Sequence, residues 1–344
     1  MSDTKPEKPV PKITLPPLLL GSSPHIASPV NARMIMACVI VSLAPVSVYG
    51  IILYGIPALL TILVSVAGAE LGEFLFRKIT KQDVRNGDIS AAVTGLLLAL
   101  VLPPAVPLWM TALGAIFAVV VAKEFFGGLG ANVFNPALVG RAFLLMSFPA
   151  ALTTWTEPGI AGGFTDAVSG ASPSAVSGAT PMALIKAGEA LNSASGYSGV
   201  IKTLFLGNHS GCIGESSILL ILIGFVFLLV IRAIDWRAPV SMLASVFILS
   251  FILGRDPLIA ILGGGVVFGA VFMATDYVTA PLSPRGKLIF GCGAGIITVL
   301  IRQFGAYPEG VTYSILIMNA LTPFLNRLLP RKYGYVKPVK GGKK

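Results

Sequence analysis

Apolar stretches close to the ~20 residues that a helix needs to cross a bilayer recur along almost the whole chain. Read in order, they predict ten spans, over 34–54, 56–77, 89–103, 106–126, 134–152, 216–235, 238–254, 257–275, 286–303 and 310–328. Several are short or interrupted. Pro103, Pro104 and Pro107 turn the chain tightly between the third and fourth, Pro136 opens the fifth, and Gly263, Gly264 and Gly265 lie inside the eighth. Irregular backbone at membrane depth persists only where it is buried in protein or lines a cavity, so these interruptions point toward a ligand or ion path. The fold class expected is an all-α polytopic membrane protein. Five spans precede the polar stretch 153–215 and five follow it. An odd number per half sets the halves in opposite orientations, the condition for an inverted repeat, although the two halves share no convincing sequence identity.

Composition agrees: 55% of residues are hydrophobic and 12% charged, about half the charged fraction of a soluble domain. The first thirty residues are polar and Pro-rich, with Lys5, Lys8 and Lys12, and lack the apolar core of a cleaved signal. With the amino terminus inside, the 25 basic residues divide into 20 inside, 4 outside (Lys186, Lys202, Arg255, Arg302) and Arg141 within a span. The positive-inside rule favours that orientation, and it explains the basic excess without a nucleic-acid partner. The expected organisation is an inner segment 1–33, a five-helix half 34–152, an external loop 153–215, a second half 216–328 and a basic inner tail 329–344.

The external loop carries two near-copies of one phrase, Asp166–Ser172 and Ser174–Thr180, the second running on into Pro181 and Met182. Ser177, Gly178, Ala179 and Thr180 put a hydroxyl beside a small, flexible turn that a bulky group can reach. Composition alone favours a loop that merely connects helices.

Acids at membrane depth are expensive and mark ion or proton paths. Glu70 and Glu73 fall late in the second span, Asp88 at the entrance to the third, Glu124 at the end of the fourth and Asp276 at the end of the eighth. Glu73 and Asp88 are the preferred ion-path residues. Glu124 also reads as a partner of Lys123, and Asp276 as a turn residue before a Pro-rich loop. Arg141 wants a carboxylate, phosphate or carbonyl partner, which a structural ion pair supplies. Asn132, Asn135 and Pro136 form a capping sequence, which reads equally as a plain helix cap or as a helix start that suits an anion. Cys38, Cys212 and Cys292 have no metal-ligand spacing, and the topology separates His25 from His209.

Several segments together resemble one family. They are Ser23–Ile26, Asn86–Asp88 leading into Thr94-Gly95, Leu102–Pro104 with Pro107–Trp109, Asn132–Leu138 with Arg141–Phe143, Ser177–Pro181, Gly214–Ser216, and Met273–Asp276 with Ala280-Pro281. In order and spacing they resemble the D subunit of the Rnf ion-translocating electron-transport complex. The B subunit of the sodium-translocating NADH:quinone reductase is a more distant likeness. The resemblance covers about residues 20–330 and implies a ten-span, urea/ammonium-channel-like fold in the bacterial inner membrane, with both termini cytoplasmic. It implies covalent FMN, joined through its phosphate by a flavin transferase, within a multi-subunit ferredoxin:NAD oxidoreductase that moves Na+ or H+. It allows a second, noncovalent flavin (riboflavin or FMN), with Arg141 a candidate contact. Thr180 fits the attachment position, with Ser172 the alternative. The acidic residue usual three positions before the Ser-Gly pair is absent, Ser174 standing in its place. Lys186 is a candidate partner for the FMN phosphate or an ordinary solvated lysine. Two other classes stay open: a channel or secondary transporter, and a non-redox scaffold.

Overall fold

A computed structural model describes residues 31–82, 89–156, 196–207, 209–305 and 310–328. Each predicted apolar stretch carries helix. The first half supplies α1 (Ala32–Tyr54), α2 (Ile56–Ile79), α3 (Ser90–Leu100), α4 (Leu108–Ala122) and α5 (Pro136–Ser147), with a single turn, α6 (Pro149–Leu152), completing the fifth stretch. After α7 (Gly196–Leu206) come α8 (Ile218–Val230), α9 (Arg237–Ile252), α10 (Pro257–Leu262), α11 (Val266–Phe268), α12 (Pro284–Phe304) and α13 (Val311–Leu325). Four helical stretches are long and apolar enough to cross a membrane unaided: α1, α2, α12, and α4 continued to Phe126. The other apolar helices are shorter.

Local chemistry sets many of the helix starts. Pro sits in the first turn of α2, α5, α10 and α12, where its missing N–H has no intrahelical use. Asn135 accepts from the Ala137 and Leu138 amides, and Asp256 likewise from Leu258 and Ile259. These Asx-Pro starts fix where α5 and α10 begin.

The helices turn large apolar side chains outward, among them Val48 and Ile52 on α1, Leu63 and Leu71 on α2, and Ile248, Phe251 and Ile252 on α9. Such a surface suits hydrocarbon rather than water. Inside, small residues bring helices together, as expected where packing rather than hydrophobic exclusion drives association. A Cβ on Gly291 of α12 would lie 2.2 Å from the Ala238 carbonyl oxygen of α9, and one on Gly295 would lie 2.6 Å from that of Met242.

Packing follows the same scheme in each half. α2 lies against α3 and α4, and α4 against α5; α9 lies against α10 and α12, and α12 against α13. The halves meet along α1 with α8 and along α5 with α13.

One departure from the sequence reading and one interruption that it expects matter for the site. The stretch 153–215 is not loop throughout, because α7 forms within it. Val200 and Leu204, four residues apart, give α7 a buried apolar edge, and it packs on α8 and α10. Tyr49 and Tyr54 of α1 donate to the carbonyls of Leu206 (3.0 Å) and His209 (3.1 Å), tying its end to the helical body. The eighth stretch is broken where its glycines fall: α10 stops at Gly263, and Gly264 and Gly265 both take φ of +65°. α11 then runs into a π-helical segment, Gly269–Met273, a feature frequent at functional sites.

Candidate functional site

Two groups of buried charge lie at opposite ends of these helices. The first joins α2 to the end of α4. Glu73 and Arg77 are one turn apart on α2 and pair at 2.7 Å. The Arg77 guanidinium also binds both oxygens of Glu124, at 3.0 and 3.2 Å. The Lys123 ammonium donates to Glu73 Oε2 (2.8 Å) and to Ser90 Oγ (2.6 Å), and lies 3.9 Å from Glu124. All four charged side chains are at least nine-tenths buried. Two acids and two bases alternate, so the quartet is neutral as a whole, the condition under which buried charge is tolerated. Glu73 is therefore an ion-paired carboxylate. Glu124 finds its close partner in Arg77 rather than in neighbouring Lys123. Glu70, a turn earlier on α2, is half-buried. Arg77 and Lys123, which enter the orientation count as loop charges, are interior residues.

Beside the quartet is a cavity of about 70 Å3. Ser90, Thr94, Lys123, Asn132, Asn135 and Asp276 supply its polar wall, and Met36, Leu97 and Phe272 part of the apolar one. It brings together the start of α5, the start of α3 and the end of the π segment. Asp276 accepts from the Thr279 hydroxyl (3.0 Å) and the Val278 amide (3.4 Å), an Asx-type turn of the kind its sequence context indicates. The same residue lines a second, wider opening of about 530 Å3 with Arg232, Asp235, Arg237 and Lys287. There Asp235 accepts from Arg237 (2.8 Å) and Lys287 (3.2 Å).

The second charged group surrounds the glycine break. Arg302, near the end of α12, donates to the carbonyls of Ala260 (2.6 Å), Gly263 (3.0 Å) and Gly264 (3.0 Å). The Glu215 carboxylate packs on the break itself: a Cβ on Gly265 would come within 2.3 Å of Glu215 Oε1. Arg141 is buried on α5 and its guanidinium donates to Cys212 Sγ at 3.5 Å. Arg141, Glu215, Gly264, Gly265 and Thr312 share a cavity of about 10 Å3, room for about one water. Arg141 thus belongs to the group around the break and not to the wall of the cavity near Asn132.

The two groups have parallel geometry. α3 begins after Ile89 at φ +60°, and α11 after Gly265 at φ +65°. Left-handed backbone is a real outlier for a β-branched residue such as Ile89. In each half a cation from the end of a neighbouring helix enters this region, Lys123 at the start of α3 and Arg302 at the carbonyls that end α10. Sequence reasoning used Arg77 and Arg302 only as orientation charges, Lys123 as one of these and as a partner of Glu124, and Glu215 only within the Gly214–Ser216 segment. The signal available was the i, i+4 spacing of Glu73 and Arg77 and the placement of Lys123 and Arg302 at the ends of apolar runs.

At the edge of the second group, His209 has its Nδ1 buried with no hydrogen-bond partner among the described residues. Burial pulls its pKa down from 6.5 to about 4, against a smaller upward effect of a hydrogen bond with the Thr203 backbone. Between pH 4 and 6.5 the unfolded chain binds the proton and the folded one does not. The stability from keeping His209 neutral is therefore complete above about pH 6.5 and is lost as pH falls toward 4, a loss of about 3 kcal/mol. Thermal denaturation at pH 7 and pH 4.5 is expected to show a steep acid loss that His209→Gln reduces. An unchanged pH slope in the variant would count against this account.

Asp88, Ser172, Ser177, Gly178, Ala179, Thr180 and Lys186 lie outside the described residues.

Helices with lipid-suited surfaces, paired interior charges and a broken helix define a multi-pass membrane protein. Residues 19–334 match the model of the NQR2, RnfD, RnfE family, and the chain belongs to that family. It is 39% identical over 330 residues to the D subunit of the proton-translocating ferredoxin:NAD(+) oxidoreductase complex of Clostridium ljungdahlii, covering 94% of this chain and 96% of that one. It is 39% identical over 329 residues to the D subunit of the Na(+)-translocating ferredoxin:NAD(+) oxidoreductase complex of Acetobacterium woodii, covering 95% and 98%. The D subunit of the ion-translocating oxidoreductase complex of Stutzerimonas stutzeri is 37% identical over 336 residues, covering 90% and 93%.

Proposed function

We propose that this chain is the membrane redox subunit of an ion-translocating ferredoxin:NAD oxidoreductase complex, and that it carries FMN esterified through its phosphate to Thr180. The observation that carries the reading is near-full-length similarity to subunits named for such complexes. Bound FMN supplies one- and two-electron redox chemistry; the protein supplies its position and electrostatics. The chain is not catalytic alone. Its partners are the other membrane and peripheral subunits, and a flavin transferase during maturation. Ten spans form two inverted five-helix halves in a channel-like arrangement, which the matching packing scheme of the halves supports. The inner bacterial membrane holds it with both termini on the cytoplasmic side, so the flavin loop faces outward.

Electron flow drives Na+ or H+ outward through the subunit. The two relatives of equal identity are named for different ions, so overall similarity does not select between them. Glu73, with Asp88 and Glu70 nearby in sequence, serves the inner end of the path, and Asp276 lines the cavity between the halves. A second flavin would find suitable polar groups in Asn132, Asn135, Thr94 and Asp276. At about 70 Å3 that cavity by itself is well below the ~300 Å3 or more of pockets for molecules of flavin size, and only together with the adjoining opening of about 530 Å3, which shares Asp276, is there space on that scale.

Peptide mass spectrometry of the 153–215 loop, after expression with the cognate flavin transferase, tests the reading. An FMN-sized adduct on Thr180 is expected. An adduct on Ser172 keeps the function and corrects the site. A bare loop from a preparation with demonstrated transferase activity brings forward the channel reading, which the broken α10–α11 helix also suits.

A further inference from the structure

We infer that Arg302 is a tethered cation occupying a latent monovalent-cation site, formed by the backbone carbonyls of Ala260, Gly263 and Gly264 where α10 breaks. The inference rests on the ion-path reading above and assigns a residue to its end opposite the quartet. Three carbonyl oxygens converge there because α10 ends after six residues and Gly264 and Gly265 turn left-handed. Unwound carbonyls in a discontinuous membrane helix are the groups that coordinate small cations in transporters, and hard cations take oxygen ligands of this kind. Here the guanidinium holds all three, at 2.6 to 3.0 Å.

The surroundings are built for positive charge. Arg302 is more than nine-tenths buried, the Glu215 carboxylate rests on Gly265, and Thr312 and Glu215 line the adjoining cavity. A helix cap alone needs no permanent charge, since water or a neutral amide satisfies a carbonyl. A buried Arg is expensive and cannot shed its proton. Its cation therefore balances the oxygen cluster in the resting state. An arriving cation takes these oxygens when the guanidinium leaves, so the two occupy the site in turn and positive charge never accumulates.

The test is equilibrium binding of radioactive sodium to the purified complex, with choline chloride holding ionic strength constant. Arg302→Gln keeps hydrogen-bond donors at the carbonyls but removes the charge, and it is expected to bind one more equivalent of Na+ than wild type. Arg302→Lys keeps a cation in place and is expected to bind none beyond wild type. A Gln variant with wild-type stoichiometry overturns the inference, as does a Lys variant that binds as much extra sodium as Gln. If the Gln variant fails to assemble, membrane levels are compared in sodium-rich and choline-rich medium: rescue by sodium supports the inference. Failure in both media, with Arg302→Lys assembling, shows a cap that sodium cannot replace and overturns it. Ferredoxin-driven ion uptake by wild-type proteoliposomes reports separately on the pump reading, so failure of one leaves the other readable.

Discussion

A Thr180→Ala chain is expected to reach the membrane in normal amount, to carry no covalent flavin, and to leave its complex with a loss of ferredoxin-driven ion uptake of about 100-fold or more. The argument is chemical. A phosphoester to the protein needs a hydroxyl at an accessible turn, and Ala179, Gly178 and Pro181 leave the Thr180 oxygen flanked by small or turn-forming residues. Alanine removes the hydroxyl, together with the γ-methyl group, so no ester can form there. Ser172→Ala is the control, because it removes the hydroxyl of the neighbouring copy. In-gel flavin fluorescence with uptake into proteoliposomes reads both quantities. Retained flavin in Thr180→Ala, with loss in Ser172→Ala, would move the attachment to Ser172. Lost flavin with full ion uptake would remove the flavin of this chain from the coupling route.

Much of the framework was legible because lipid imposes it. A bilayer demands long apolar runs, and each run carries helix. The Asn135-Pro136 start of α5 and the break at Gly263–Gly265 stood in the sequence because few residue types permit those backbones. What escaped was partnership. Arg77, Lys123 and Arg302 sit at the ends of apolar runs, where a basic residue ordinarily marks the loop. One sequence cannot say that Lys123 turns inward to Glu73 and Ser90 while Lys78, one residue beyond Arg77, stays exposed. That choice is made by α2 and α4 coming together, through contacts about fifty residues apart in the chain. α7 was missed for a related reason. Its apolar edge is only two buried residues wide and becomes a helix face through packing on α8 and α10.

The quartet joins this framework to the proposed mechanism, and its disruption should have the second large effect. Lys123→Met removes one of two cations from a closed, neutral group and leaves Glu73 and Glu124 sharing Arg77. Breaking a buried pair by deleting one partner destabilises by about 3–5 kcal/mol, because the surviving charge keeps its desolvation and loses its compensation. Adding Glu73→Gln restores neutrality, leaving Arg77 and Glu124 as an intact pair, so Lys123→Met/Glu73→Gln is expected to regain most of the lost stability. Thermal denaturation of the purified complex measures both steps. Ion uptake then separates two roles for Glu73. If its carboxylate serves only to balance Lys123 and Arg77, the double variant recovers transport together with stability. If Glu73 takes up the translocated ion at the inner end of the path, stability returns and transport does not. The second outcome is expected, because Lys123 borders the cavity shared by both halves. A cation entering there displaces the ammonium from Glu73 without opening the Arg77–Glu124 pair that holds α2 against the end of α4.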